Sequence, residues 1–394
     1  AVGGEHTLLL LDDGSVYGCG SNAVGQLGLE QNEVVSPTIL DGLTSPVSSV
    51  SAGHSHSLFM ASDGLYLTGS NEFGQLCTDT NGQNVLTITA FDVNERVAIS
   101  FEAIKQSSYI LYEDGSVNAC GRNDFGQLGD GTNDDEFLVA VDIPDRVVRL
   151  LGVGPSAQSV LFVTTDELVW GTGLNDRGQL GIGDTINKNI PTRVQFEDLV
   201  TIDQLCISEE HSFALGAVTG TLYPTEAPSA TVPAMKFYFW GAPDSIGKDL
   251  STDVLIPLES GDQAIDTSGG SDYTVIILND GTALSAGYIE TLDTYAGHLG
   301  RDEATIVQGV NEMLPIDLVY DSSGSAIVDA PPFTRAFAGV ENSPTTGVVH
   351  TILLDSQGQA WAMGSNGSGQ LCLGDGVDKA FIPEKIPFNG KIVD

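Results

Sequence analysis

Four histidines stand in the same short context, Gly-x-x-His or its remnant, at His6, His56, His211 and His350. Imidazole ligates metals and moves protons near neutral pH. A zinc site, however, needs ligands at short helical or H-x-H spacing, and only His54 and His56 have it. One histidine per long repeat is expected to bond a turn, so no metal or cofactor is assigned to these residues. A second group is the acidic loop Asp130-Gly131-Thr132-Asn133-Asp134-Asp135-Glu136. Asp130, Asp134, Asp135 and Glu136 carry the hard oxygen atoms that calcium prefers. The loop lacks the ordered ligand series and distant glutamate of an EF-hand, and is otherwise read as solvated. Glu5, Glu210 and Asp272 each precede a cassette histidine or, at Tyr273, its replacement. The chain has no nucleophile elbow, no phosphate-binding Gly-Lys-Ser/Thr loop and no cysteine placed beside a histidine. Carboxylates are so frequent that two at glycosidase separation would arise by chance. The expectation is a protein without catalytic chemistry.

The frame that carries these residues repeats. Gly3-Gly4-Glu5-His6-Thr7-Leu8, Asp13-Gly14 and Ser21-Asn22-Ala23-Val24-Gly25-Gln26-Leu27-Gly28 return in order along the chain. The glycine of the Gly-Gln-Leu position falls at 25, 74, 126, 178, 247, 297 and 369, with the fifth and sixth copies degraded. Seven units of about fifty residues signal a stacked or circular architecture. Each unit holds two apolar runs around a turn such as Asp-Gly, read as a hairpin with a type I′ turn, and further apolar runs for a second pair. Four antiparallel strands per unit and seven units make an all-β, seven-bladed β-propeller, which removes its sheet edges by closing into a circle. Residues 1–394 are read as one domain. Lys391-Ile392-Val393-Asp394 followed by Ala1-Val2-Gly3 resembles the run Val47 to Gly53, so strands from both ends are expected to complete the last blade. The asparagines Asn22, Asn71, Asn123, Asn175 and Asn366 recur at one place and are read as turn residues, Asn366 despite its glycosylation sequon.

The cassette G-x-x-H-[ST]-L, D-G, G-x-N-x-x-G-Q-L-G resembles the RCC1 (regulator of chromosome condensation) repeat, and the resemblance covers the whole chain. It implies the propeller and leaves function open, because the scaffold hosts unrelated activities. Members include an exchange factor for the small GTPase Ran on chromatin, a plant photoreceptor based on tryptophans, and a secreted inhibitor of β-lactamases. Chromatin docking needs basic clusters, whereas this chain has 53 Asp and Glu against 15 Lys and Arg, a net charge of −38. Nucleic acid is therefore excluded as a partner. The resemblance implies exchange activity through an acidic wedge at Glu5, Glu210 and Asp272. A photoreceptor requires clustered indoles, but Trp170, Trp240 and Trp361 sit at blade-packing positions.

No apolar run approaches the length of a membrane-spanning helix. The chain opens at Ala1, which reads as a processed product or an excised domain. The five cysteines, Cys19, Cys77, Cys120, Cys206 and Cys372, are odd in number and lack CxxC spacing, and are expected to be buried free thiols. The repeat is broken at 216–235, 302–335 and 341–347, where loops on a rigid scaffold acquire specificity. Tyr223, Tyr320, Phe333 and Glu341 are the partner-contact candidates there, and the Pro/Ser/Thr-rich run near 218–233 reads as extended and open to O-glycosylation. The leading expectation is a monomeric protein-recognition scaffold outside the cytosol or in an ectodomain, its acidity steering a basic protein partner. A small-GTPase exchange factor, of cytoplasmic or nuclear location, and an extracellular calcium- or glycan-binding module are the alternatives. Adaptation to a saline medium is a competing source of the acidity.

Overall fold

The computed structural model describes residues 1–92, 96–151, 155–194, 196, 202, 204–209, 211–217, 235–241, 254–255, 264–270, 273–287, 297, 299–300, 314–316, 332–340 and 349–393. Seven antiparallel sheets follow one another round a ring. Blade one contains His6–Leu10, Val16–Ser21 and Glu33–Ile39. Blade two runs Val47–Ala52, His56–Ala61, Gly64–Gly69 and Val85–Phe91. Blade three runs Ala98–Ile104, Ser107–Tyr112, Val117–Gly121 and Glu136–Ala140, and blade four Val147–Leu151, Ser159–Thr164, Val169–Gly173 and Lys188–Arg193. Blades five and six begin at Gln204–Ile207 and Ala264–Gly269 and end in the two-residue strands Val254–Leu255 and Leu314–Pro315. Blade seven runs Phe333–Val340, Val349–Asp355, Ala360–Ser365 and Lys379–Lys385.

The first strand of each four-stranded sheet is innermost, and blade one takes that strand from both chain ends. Val393 N–H donates to Leu10 O at 2.9 Å, and Leu8 N–H donates to Ala1 O at 2.9 Å. Leu11 bridges Ile392, and Val2 bridges Thr7. The two chain ends do join to complete a blade, but it is blade one and not the last, since blade seven draws all four of its strands from residues 333–385.

The hairpin turns differ from expectation. At Leu11–Ser15 the N–H of Gly14 donates to Leu11 O, and only Gly14, at φ +82°, is left-handed. This is a type I turn followed by one left-handed residue, the three-residue hairpin loop, in place of type I′. Asp13 Oδ1 holds the turn by accepting from Ser15 N–H at 2.9 Å, and the same bond recurs at Asp114–Ser116 and Asp280–Thr282. In blade four Glu167 takes the left-handed place at φ +57°.

Side chains from facing sheets fill the space between blades. Phe59, Phe162, Tyr109 and Phe213 are all within 1% of full burial. So are the leucines of the Gly-Gln-Leu loops, Leu27, Leu76, Leu128, Leu180 and Leu371. The loops themselves are wired alike: Asn123 Oδ1 accepts Leu128 N–H at 2.9 Å and Gln127 Oε1 accepts Phe125 N–H at 3.0 Å. Asn366 does the same to Leu371, and its Nδ2 donates to Val377 O at 2.6 Å, so the sequon asparagine is a buried turn residue. Gly121, at φ +108°, lets the strand end pass blade three's own turn, since a Cβ there would lie 2.4 Å from Gln106 O.

The cysteine expectation is overturned for four of the five. Cys19 pairs with Cys372 and Cys77 with Cys120, while Cys206 is a buried free thiol. Cys77 and Cys372 follow the Gln-Leu of blades two and seven, and Cys19 and Cys120 precede the strand-end glycine of the next blade round the ring. Both bridges therefore tie neighbouring blades by the same geometry. The signal was present in the repeat register, where CxxC spacing could not show it. Removing a native bridge of this kind costs about 2–5 kcal/mol. Thermal melts with and without reductant should show a marked fall on reduction, with Cys19→Ser/Cys372→Ser reproducing part of it; an unchanged melt would show the bridges to be mechanically idle.

Candidate functional site

The cassette histidines meet the hub of the ring, where each reaches into the next blade. His6 Nε2 lies 2.9 Å from Ser57 Oγ, His56 Nε2 2.9 Å from Ser108 Oγ, His211 Nε2 2.8 Å from Thr274 Oγ1, and His350 Nε2 3.3 Å from Thr7 Oγ1. Tyr273, standing where a histidine would be, reaches Thr351 Oγ1 at 3.0 Å. The hydroxyls of Ser57, Ser108 and Thr7 in turn donate at 2.7 Å to the carbonyls of Gln26, Gln75 and Gln370. A hydroxyl has one proton. With that proton on the carbonyl, His6, His56 and His350 must donate through Nε2–H. Burial without a counter-charge pushes all three down to about 3, so each is neutral. The turn role expected for these histidines is therefore extended to the bond between blades.

Among the described residues, five of the seven junctions carry the bond from the histidine place to the next blade's hydroxyl, and three of these the onward bond to a glutamine carbonyl. At blades three and four the histidine position is occupied by Ser107 and Ser159, whose short side chains bond carbonyls at Arg122 and Leu174. A different device spans that sector. Lys105 Nζ of blade three lies 3.3 Å from Glu209 Oε1 of blade five, and Gln158 Nε2 of blade four donates to the same oxygen at 3.1 Å. Gln179 Nε2 donates to Glu209 O at 2.8 Å. Desolvation at this mouth of the hub lowers the Lys105 ammonium from its usual range. On the inner strand of blade three, Glu102, itself partly exposed, lines a cavity of about 240 Å³. Its carboxyl is pushed up to about 8 by burial. Sequence reasoning passed over Lys105, Glu209 and Glu102. The first two stand at cassette places where the other blades carry unrelated residues, and inner strands are the least regular part of the repeat.

The residues singled out from sequence fall in several places. Glu5 is half-buried beside the first histidine turn. Glu210, Asp272, Tyr223, Tyr320 and Glu341 lie outside the described residues, as do nearly all of the three repeat-breaking segments. Phe333 is described and corrects the expectation: it is 6% exposed and packs edge-on against Trp361 at 6.4 Å, so its ring belongs to the core. In the acidic loop, Asp134, Asp135 and Glu136 are exposed. Asp130 Oδ1 accepts Thr132 N–H at 3.0 Å and Asp135 Oδ1 accepts Asn123 N–H at 2.8 Å, bonds that shape the turn. Among the described residues no three His, Cys, Asp or Glu side chains gather as a metal site. Two of the indoles are tied into the packing of the ring: Trp240 Nε1 of blade five donates to Gln179 O of blade four, and Trp361 Nε1 donates to Asp355 Oδ2 within blade seven.

Comparison with known proteins agrees with this geometry. The model of the regulator of chromosome condensation (RCC1) repeat matches residues 13–60 and 166–215. The ultraviolet-B receptor UVR8 of Arabidopsis thaliana is 24% identical over 390 residues, covering 97% of this chain and 80% of the receptor. The human probable E3 ubiquitin-protein ligase HERC3 is 32% identical over 205 residues, 50% of this chain and 19% of the ligase. Yeast RCC1 (Prp20), solved bound to Kap60, superposes with a TM-score of 0.73 at 17% identity, covering 96% of this chain and 85% of that one. Human WBSCR16 superposes at 0.72 with 17% identity, covering 99% and 95%.

The neutral histidines make the ring acid-sensitive. In the unfolded chain each takes up a proton near pH 6.5, while in the fold it does so only near 3. Their contribution to stability is whole above about pH 6.5 and is lost as pH falls toward 3, by about 1.4 kcal/mol per pH unit for each histidine. Urea unfolding midpoints should drop steeply across that window, and His56→Gln should flatten the drop. A flat profile in the unaltered protein would mean the imidazoles are solvated.

Proposed function

Because the chain carries RCC1 repeats and folds as the seven-bladed ring such repeats build, we propose that it is a non-enzymatic recognition scaffold whose acidic, loop-bearing rim binds a basic protein partner. The observation that carries this reading is a net charge of −38 on a ring tied blade to blade by buried relays and by two disulfides. A rigid body of one sign holds a strong field in place, accelerates encounter with an oppositely charged surface and rejects like-charged ones. The solved complex of yeast RCC1 with Kap60 supports a protein-binding role for this fold. The segments 216–235, 302–335 and 341–347 are the proposed specificity loops, with Tyr223, Tyr320 and Glu341 as contacts. The proposed compartment is extracellular or cell-surface. Two disulfides between blades support it, since cytosolic thiols are held reduced.

A second reading has a specific relative behind it: yeast Prp20p has been studied for binding to Gsp1p and histones. Under that reading the acids at the histidine turns, Glu5, Glu210 and Asp272, contact a small GTPase. The scaffold reading is favoured because it draws on the whole charge of the ring and on no particular side chain.

The test is capture by the immobilised, oxidised protein from extracellular fractions at about 10 mM and about 150 mM salt, between which the screening length falls from about 30 to about 8 Å. A retained protein partner whose association rate falls by about tenfold or more across that range supports the steering reading. Retention of no protein at either salt removes it. Accelerated release of fluorescent nucleotide from a Ran-type GTPase would replace the scaffold reading with the exchange reading.

A further inference from the structure

We propose that the hub cavity is a binding site for a compact primary amine with an apolar body, whose ammonium group pairs with the Glu102 carboxylate. The cavity, of about 240 Å³, is walled by the innermost strands of blades one, two, three, six and seven. Its apolar side is formed by Val50, Ala52, Phe337 and Ala338, and its polar side by Ser51, Ser268 and Glu102. A cavity of about 150 Å³ holds benzene, so this one has room for a ring and a short aminoalkyl arm.

The chemistry of the wall selects the charge of the occupant. Ser51 Oγ accepts Ala103 N–H at 2.9 Å and lies 3.3 Å from Glu102 Oε2, so it offers the carboxyl one proton and no charge. Among the described residues the neighbouring cations are committed elsewhere. Lys105 pairs with Glu209 and Arg335 with Asp266, while the Ala1 ammonium, also at the cavity wall, is held by Leu8 O and has no part in the shift of Glu102, which comes from burial and Ser51. His6, His56 and His350 are neutral, and the Cys206 thiol of blade five, near enough to Glu102 to feel its charge, is pushed up to about 12 and is neutral as well. An acid with no counter-ion among the described residues, in a mostly apolar hollow, keeps its proton, which is what raises Glu102 to about 8.

An entering ammonium supplies the missing charge. The amine arrives as R–NH₃⁺, the Glu102 O–H bond breaks, its proton leaves to solvent, and an N–H···O ion pair forms. Charge and atoms balance with one proton released. A carboxylate ligand would add a second acid beside Glu102 inside a strongly negative protein. A neutral ligand would release no proton. The site is separate from the rim, so success or failure of partner capture leaves it untouched.

The probe is phenethylamine, titrated calorimetrically at pH 7 in two buffers with different heats of protonation, with 2-phenylethanol and phenylacetate as neutral and anionic counterparts. The expected result is one site, close to one proton released per amine bound, and amine preferred over both counterparts. Glu102→Gln should abolish the proton release and weaken the amine by about tenfold or more. It should leave 2-phenylethanol binding unchanged. The proposal is overturned if no heat appears up to about 10 mM amine. It also fails if amine binds without proton release, if phenylacetate binds as tightly, or if Glu102→Gln binds amine as the parent does. Should the variant fail to fold, the proton count on the unaltered protein still decides.

Discussion

The ring depends on one small arrangement: an imidazole donating to a hydroxyl that donates to a carbonyl, all of it buried between blades. Each member of the relay has its proton assigned by the next, so none can be charged or removed without leaving a polar atom stranded in a dry place. The cost of an unsatisfied buried group, more than the worth of each bond, is what holds neighbouring blades at a fixed angle. Leu27, Leu76 and Leu371, each directly after one of these glutamines, are fully buried, so the polar relay and the apolar core meet at the same loops. The two disulfides reinforce junctions that already have this geometry.

Where the relay is missing, the chain solves the same problem with different chemistry. Ser107 and Ser159 turn back into their own blades, and Lys105, Gln158 and Glu209 reach across three blades at the mouth of the hub. In this sector two half-buried charges stand in place of neutral hydrogen bonds. The sector is also where the repeats depart from the His-Ser/Thr pair.

The propeller was legible because the repeat writes the same turn chemistry many times over. Asp-Gly, Asn and Gly-Gln-Leu each satisfy a fixed set of backbone groups, and their period gives the blade count. That the two chain ends share a blade was legible too, since they read together as one inner strand, although the blade they complete is the first and not the last. The disulfides were hidden from pairwise spacing, because partners such as Cys19 and Cys372 are adjacent only once the ring has closed. Phe333 was misread because it stands next to Pro331-Pro332 in a segment that breaks the repeat, yet it begins the inner strand of blade seven. Glu102 could not be found by motif. Its character comes from the apolar neighbours gathered by five separate blades, which no local stretch of sequence contains.

The sulfur bridges have an order imposed by where their partners lie. Cys77 and Cys120 are 43 residues apart and become neighbours once blades two and three have formed. Cys19 and Cys372 are separated by 353 residues and lie on opposite sides of the seam where the last blade docks against the first. On a ribosome the early cysteine waits, reduced, until nearly all of the chain has emerged. Oxidation of that pair therefore requires the two ends of the chain to have met across the seam, whereas the Cys77–Cys120 bridge requires only blades two and three.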